Sequence, residues 1–206
     1  MPENVGQLLA ALGGIAPERV RLNPPPGRAS SKELIQLLEQ QKILCEVVDG
    51  TLVDKPVGQI ETILGRWLIR CLWDYLVTRD LGRVYGPDTP FQLKTRLIRM
   101  PDVAYVSHGR LPREESKTNL VSTLIPDFVV EIRNNAKTKS ETLRKVEEFF
   151  AAGVKVVWVV DPKKRTVTVY KDSTTHVTFG KESTLDLGDI LPGFSLSLGD
   201  WFAKID

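Results

Sequence analysis

The stretch Pro126–Asp161 reads PDFVVEI over 126–132, RNNAKTKSETLRKVEEFFAAGVK over 133–155 and VVWVVD over 156–161. Its first and last segments are short, apolar and rich in β-branched residues, which is typical of buried strands. Between them, apolar residues recur at helical spacing from about Ser140 to Ala152, just before a terminating glycine. We therefore predict a strand–helix–strand unit in which a crossover joins two parallel, neighbouring strands.

The first of these strands carries two carboxylates, Asp127 and Glu131, among apolar neighbours. Side chains alternate between the faces of a strand, so both point to the same face. A buried carboxylate is costly unless a partner compensates its charge. A metal ion, a basic side chain or an open cleft would each provide that compensation.

Composition bounds the class of protein. The 206 residues are 42% hydrophobic and 26% charged, which is typical of a globular protein. A net charge of +2 neither demands nor excludes a nucleic-acid partner, so any DNA-binding surface would have to be local. Cys45 and Cys71 lack metal-site spacing and indicate reduced thiols in a cytoplasmic protein. No signal peptide or apolar run of about 20 residues is present, so we expect no membrane association.

The order of patterns along the chain predicts one main domain. Glycines and prolines make residues 1–29 an N-terminal arm or linker, and residues 30–206 form the domain. The fold class is α/β, with a mixed sheet of the α+β type and flanking helices. Before the central stretch we predict, in order, a helix from Ser30, a hairpin turning at Asp49-Gly50, a helix over 57–78, strands over 83–107 and a polar loop over 108–123.

The helix over 57–78 is rich in aromatic residues. We interpret Trp67, Trp73 and Tyr75 as core packing on a broad apolar stripe. The alternative is that this helix forms the interface of a homodimer.

Asp102 follows Pro101 at the start of an apolar strand, about thirty residues before Glu131. If the two strands are neighbours, both carboxylates can bind one Mg²⁺, which prefers carboxylate oxygens with water and phosphate. Arg133 lies two residues after Glu131 and cannot accept a proton, so Lys145 is the candidate assisting lysine. In the structural alternative Asp102 and Asp127 cap turns, and Glu131 pairs with Lys145 or Arg144 and does no chemistry.

Several motifs in a fixed order carry a family resemblance. From about residue 30 to the C-terminus the chain contains CEVVDGTLV, RMPDVAYVS, IPDFVVEI, AAGVKVVWVVDP and LPGFSL. This order resembles the Uma family of predicted endonucleases, in the PD-(D/E)XK restriction-endonuclease-like superfamily. The resemblance implies a restriction-endonuclease-like core and hydrolysis of phosphodiester bonds with Mg²⁺ (or Mn²⁺) as cofactor and DNA as substrate.

By motif, the resemblance implies four catalytic residues, Asp102, Glu131, Lys145 and Glu46. It assigns the three carboxylates among them to the metal, with Asp127 as a lesser metal ligand. The sequence departs from the family pattern next to this site. Asn134-Asn135 stand where Ser-Pro is usual, Val156-Val157 where Glu-Tyr is usual, and Gly58-Gln59 where a histidine is common.

A basic run begins just after the first strand. We predict that it attracts the nucleic-acid backbone through Arg133, Lys137, Lys139 and Arg144. The alternative for this run is a solvated helix face. For the protein as a whole, the alternative to an endonuclease is a catalytically weak or inactive member of the same fold that binds nucleic acid or protein.

Overall fold

The computed structural model describes residues 3–111 and 119–206. Its α-helices are α1 Val5–Ala11, α2 Ser31–Gln36, α3 Gln59–Leu76, α4 Lys139–Ala152 and α5 Leu198–Phe202. Its strands are β1 Cys45–Val48, β2 Thr51–Asp54, β3 Gly82–Tyr85, β4 Phe91–Lys94, β5 Leu97–Arg99, β6 Val103–Ser107, β7 Phe128–Ile132, β8 Val156–Asp161, β9 Thr166–Tyr170, β10 His176–Gly180, β11 Thr184–Asp186 and β12 Ser195–Ser197.

The predicted strand–helix–strand unit is present as β7, α4 and β8. The two strands pair in parallel, with Phe128 opposite Val156 and Ile132 opposite Val160. Thr138 caps α4 by accepting a hydrogen bond from an amide of the first turn, and Gly153 ends the helix at a φ of +100°. The side chains that this unit hides supply roughly 1.5–3 kcal/mol each on burial.

These two strands form the middle of a six-stranded sheet in the order β10-β9-β8-β7-β6-β3, where β7 and β8 are the parallel pair. Alternation along β7 separates its side chains between the two faces. Phe128 and Val130 pack against α3 and the C-terminal helix, whereas Val129 packs against Val146 and Phe149 of α4. Glu131 follows the same alternation as Val129 and therefore faces α4.

A separate antiparallel sheet in the order β2-β1-β5-β4 covers the N-terminal side of the domain. The sequence pattern predicted one mixed sheet, and the described residues instead form a six-stranded, a four-stranded and a two-stranded sheet. The chain passes from β5 to β6 through Met100-Pro101. Proline has no N–H to continue a strand ladder, so the chain leaves one sheet there and enters the other.

The N-terminal arm packs against the domain. Leu12 and Ile15 are buried against the hairpin of β1 and β2. Arg19 forms a bidentate ion pair with the fully buried Glu141 at the start of α4, with N–O distances of 2.7 and 2.8 Å. Residues 3–29 are therefore held to the same helix that positions Lys145.

Helix α3 confirms part of the packing prediction for its aromatic residues. Trp67 and Tyr75 pack partly buried against the core, but Trp73 is 60% exposed, so its assignment to the core was wrong. The predicted homodimer interface on this helix stays a prediction.

Within the described part of the chain, no helix combines the length and the apolar character needed to cross a membrane. Of the predicted loop over 108–123, residues 112–118 lie outside the described residues.

Candidate active site

Asp102 is fixed at the junction of β6 and β7. Its main-chain N–H donates to the Val130 carbonyl at 2.9 Å, and its Oδ2 accepts from the Ile132 N–H at 2.7 Å. The carboxylate is thereby aimed at the end of β7, and the residue is only 5% exposed. Antiparallel pairing of β6 with β7 thus brings Asp102 to the end of the strand that carries Glu131.

Glu131 and Glu46 are joined by one lysine of α4. Lys145 Nζ donates to Glu46 Oε1 at 2.9 Å and lies 3.3 Å from both carboxylate oxygens of Glu131. Glu46 accepts further hydrogen bonds from the Met100 N–H at 3.0 Å and from Arg99 Nη1 at 2.7 Å. Each of these side chains is almost completely buried.

Lys137, in the loop between β7 and α4, reaches into the gap between Asp102 and Glu131. Its Nζ lies 3.4 Å from Asp102 Oδ2, 3.3 Å from Glu131 Oε2 and 3.2 Å from the Ile132 carbonyl oxygen. Two carboxylates and one carbonyl therefore converge on a single positively charged atom. We call the point at which this Nζ lies the cation position.

A third lysine holds the other side of Asp102. Lys55 Nζ lies 3.0 Å from Asp102 Oδ1 and donates to the carbonyls of Pro87 at 2.9 Å and Met100 at 2.7 Å. Asp102 is therefore held between Lys55 and Lys137, two ammonium groups with almost no solvent exposure.

Charges in this cluster balance, because Glu46, Asp102 and Glu131 face three ammonium groups. Burial alone would raise the pKa of Asp102, but Lys137, Lys55 and the Ile132 N–H outweigh burial and lower this pKa to about 2. The pKa of Glu46 is lowered in the same way, by Lys145 and Arg99 against the effect of burial. Burial acts to lower the pKa of Lys137, but the surrounding carboxylates raise it above its ordinary value. The shifted pKa values of Glu46, Asp102 and Lys137 therefore favour the charged forms of these three groups.

Two open clefts adjoin the cluster. One, which we call the basic cleft, has a volume of about 340 Å³, and the other of about 320 Å³. Asp102 lines the second cleft, Lys137 lines the basic cleft, and Glu61 of α3 lies between them and lines both. The basic cleft is also lined by Ile60, Arg133, Asn134, Asn135, Asp161, Pro162 and Lys163.

The residues present suit a hard divalent cation. Mg²⁺ and Mn²⁺ are bound by a few protein oxygens, with water and phosphate completing the coordination. The oxygens of Asp102, Glu131 and Ile132 that converge on the cation position are such a set. Within the described ranges, 3–111 and 119–206, no three Asp, Glu, His or Cys side chains are grouped as a ready-made metal site. The fit therefore depends on a main-chain carbonyl in place of a third side chain.

Comparison with known proteins gives the family. Residues 31–199 match the model of the Uma2 family, described as "Putative restriction endonuclease". The chain belongs to the Uma2 family. The resemblance inferred from the motifs is thereby confirmed, and the matched residues include Asp102 and Glu131.

A solved structure shares the fold of this Uma2 protein. It is a protein from Anabaena variabilis ATCC 29413, described as "a putative nuclease belonging to DUF820", and it superposes with a TM-score of 0.73 at 19% sequence identity. The match covers 86% of this chain and 99% of the other. It confirms the predicted restriction-endonuclease-like α/β fold with flanking helices. No curated protein matches the chain. Membership of the Uma2 family supports a nuclease-like function.

Within this Uma2 fold, Asp127 lies apart from the other predicted metal ligands. It precedes β7, whereas Glu131 lies near the far end of that strand. Its carboxylate accepts from the Ser107 N–H at 2.8 Å and pairs with Arg110 and Lys155 at 3.1 and 2.7 Å. Asp127 therefore has a structural explanation and takes no part in the cluster.

The predicted nucleic-acid-binding residues divide among three settings. Arg133 lines the basic cleft and donates to Asp161 at 3.0 Å, and Lys137 lies at the cation position. Lys139 is exposed at the start of α4. Arg144 faces the hairpin instead, where it pairs with Asp49 and Glu148 at 2.7 Å each.

Sequence reasoning missed two buried cations. Lys55 follows β2 directly and precedes Pro56, and nothing in that local pattern indicates a partner 47 residues later. Arg99 bridges Glu46 and Glu148 with distances of 2.7 and 2.6 Å and is fully buried. The available signal was the charge of Arg99 within the apolar segment RLIRM, since a buried charge requires a partner.

Proposed function

We propose that this protein is a divalent-cation-dependent endonuclease that hydrolyses phosphodiester bonds of DNA. Family membership supports the nuclease class. One structural observation carries the rest of the proposal, namely the convergence of Asp102, Glu131 and the Ile132 carbonyl on a single cation at the edge of an open cleft. Such an oxygen set beside an open cleft can hold a cation where a phosphate can reach it.

Asp102, Glu131 and the Ile132 carbonyl would hold Mg²⁺ or Mn²⁺. When bound, such an ion polarises a phosphoryl oxygen and offsets the charge of the reacting phosphate. Glu46 belongs to the site through Lys145 rather than as a ligand, because its oxygens contact Arg99, Lys145 and an amide, whereas those of Asp102 and Glu131 contact the Lys137 ammonium at the cation position.

The lysines have distinct roles in this proposal. Lys145 fixes the orientation of Glu131, and Lys55 fixes that of Asp102. Arg133 and Lys163 line the basic cleft, where positive side chains attract the phosphate backbone. Lys137 also lines this cleft and contacts both carboxylates of the site.

Supercoiled plasmid DNA provides the test. We expect nicking or linearisation with Mg²⁺ or Mn²⁺, its loss with a chelator, and its loss in Glu131→Gln, which keeps the shape of the side chain but not its charge. Lys181→Gln, at an exposed position in the turn after β10, is the control. Cleavage that survives both the chelator and Glu131→Gln would contradict the proposal.

A non-catalytic DNA-binding protein is the second candidate. Its support is that all three carboxylates of the cluster are already paired with lysines. This candidate predicts salt-sensitive retention of DNA without cleavage at any Mg²⁺ or Mn²⁺ concentration. Retention that weakens in Lys163→Gln, together with intact plasmid, would favour it over the endonuclease.

A further inference from the structure

Lys137 is held loosely for a buried ammonium. Its three contacts measure 3.2, 3.3 and 3.4 Å, whereas hydrogen bonds between an ammonium and a carboxylate are ordinarily about 2.7–2.9 Å. The oxygens come from Asp102, Glu131 and Ile132, each held in place by other bonds. Three oxygens therefore surround an ammonium that lies slightly farther from each of them than an ordinary charged hydrogen bond requires.

Lys55 contacts the same aspartate in a different manner. Its distances to Asp102 and to the carbonyls of Pro87 and Met100 are 3.0, 2.9 and 2.7 Å. An ammonium has three hydrogens to donate, so Lys55 is fully satisfied. Lys55 and Lys137 thus place equal charge on Asp102, but Lys137 alone of the two lies among the oxygens of the proposed metal site.

An open cleft beside Lys137 provides space into which its ammonium can move. Lys137 lines the basic cleft and belongs to a loop rather than to β7 or α4. Rotation about its side-chain bonds would carry the ammonium outward beside Arg133 and Lys163 without disturbing Thr138, which caps α4. Tightly bonded Lys55 does not line either cleft.

We propose that Lys137 is a built-in occupant of the metal site, whose ammonium neutralises Asp102 and Glu131 until a divalent cation displaces it into the basic cleft. The inference rests on the proposed function, because it takes the cation position as the metal site. An ammonium and a divalent cation repel each other and cannot share one position. Metal affinity is therefore lowered by the free energy needed to displace Lys137, and that cost disappears when the ammonium is removed.

Mn²⁺ binding to the full chain without DNA measures this cost, by electron paramagnetic resonance of the free ion or by calorimetry. Lys137→Met keeps the length of the side chain and removes its charge. We expect it to bind Mn²⁺ more tightly than the wild type by about 5- to 150-fold, the usual range of coupling between two linked events. Lys55→Met removes the same charge from the same carboxylate and is the matched control, with Lys181→Met as the surface control.

Thermal unfolding gives a second measure. In chelator, Lys137→Met should melt below the wild type because two carboxylates lose a counter-ion, and Mn²⁺ should raise its melting temperature more than that of the wild type.

Equal or weaker Mn²⁺ affinity in Lys137→Met would overturn the inference. An equal gain in Mn²⁺ affinity in Lys55→Met would also overturn the inference, since the loss of any positive charge near Asp102 would then explain the change. Mn²⁺ affinity unchanged in Glu131→Gln would remove the proposed metal site itself.

Discussion

The two Pro-Asp dipeptides occupy equivalent positions at opposite ends of the same strand pair. Asp102 donates its N–H to the Val130 carbonyl and accepts from the N–H of Ile132, two residues further along. Asp127 donates to the Tyr105 carbonyl and accepts from the N–H of Ser107, again two residues further along. Antiparallel pairing of β6 and β7 produces this symmetry, so the backbone treats the two aspartates alike.

Their neighbours differ. Asp102 contacts two buried ammonium groups, Lys55 and Lys137, and lies beside Glu131. Asp127 pairs with Arg110 and Lys155, whose side chains are 27% and 57% exposed. At one end of the strand pair the Pro-Asp dipeptide fixes the ends of the two strands. At the other end it also forms part of a candidate active site. What surrounds the motif, rather than the motif itself, makes the difference.

The largest expected contrast between the two ends is in DNA cleavage. Asp102→Asn should lower the cleavage rate by about a thousandfold, or ~4 kcal/mol in the barrier, because a metal ion contributes several kcal/mol to such a transition state. Asp127→Asn should stay within about threefold of the wild type, less than 1 kcal/mol. Initial rates on plasmid DNA at saturating Mg²⁺ measure both, and equal losses in the two variants would contradict the assignment.

Stability should separate the two ends next. Asp102→Asn leaves Lys55 and Lys137 buried with one carboxylate fewer, and breaking such a pair costs about 3–5 kcal/mol of unfolding free energy. Asp127→Asn leaves cations that water can solvate, so about 1 kcal/mol is expected. Urea unfolding in chelator gives both values. The double variant Asp102→Asn with Lys55→Met should recover part of the loss, and no recovery would argue against uncompensated charge as the cause.

Acid should remove the contribution of Asp102 to the free energy of unfolding within a defined pH window. The pKa of Asp102 is lowered from 3.8 to about 2 in the folded chain, so its contribution is complete above pH 4 and is lost as the pH falls through 2. That contribution is on the order of 2 kcal/mol. In chelator, the wild type should therefore lose more stability between pH 4 and pH 2 than Asp102→Asn does. Parallel curves for the two proteins would contradict the lowered pKa.

The smallest effects are expected at the exposed partners of Asp127. Lys155→Gln removes a cation that is more than half exposed, so it should change the unfolding free energy by less than about 1 kcal/mol. Arg110→Gln should cost slightly more, because Arg110 also donates to the carbonyls of Ile125, Pro126 and Gly153. Denaturant midpoints measure both, and a loss at Lys155 as large as that of Asp102→Asn would remove the contrast between the two ends.

Much of the fold could be predicted from local pattern. Alternating and helical spacing of apolar residues gave β7, α4 and β8, because burial imposes those periods on the sequence. The change of sheet at Pro101 was missed, since strand patterns do not indicate which strands pair. Trp73 was assigned to the core because the apolar stripe of α3 is broader than the face that the helix buries. The sequence does not show which part of such a stripe stays exposed.

The sequence by itself determined the family, the strands that carry the carboxylates and the pairing of Asp102 with Glu131 in motif order. The strands follow from spacing along the chain, which local physics constrains, and the family and the motif pairing follow from the resemblance that the ordered motifs carry. The tertiary structure alone decided that Lys55 and Lys137 also meet those carboxylates, beside the Lys145 that the motif order had indicated. Lys55 and Lys137 come from separate segments, and a charge that is buried by distant segments leaves no periodic trace near its partner. Separation in the fold likewise set Asp127 apart from the site, although its local sequence resembles that of Asp102.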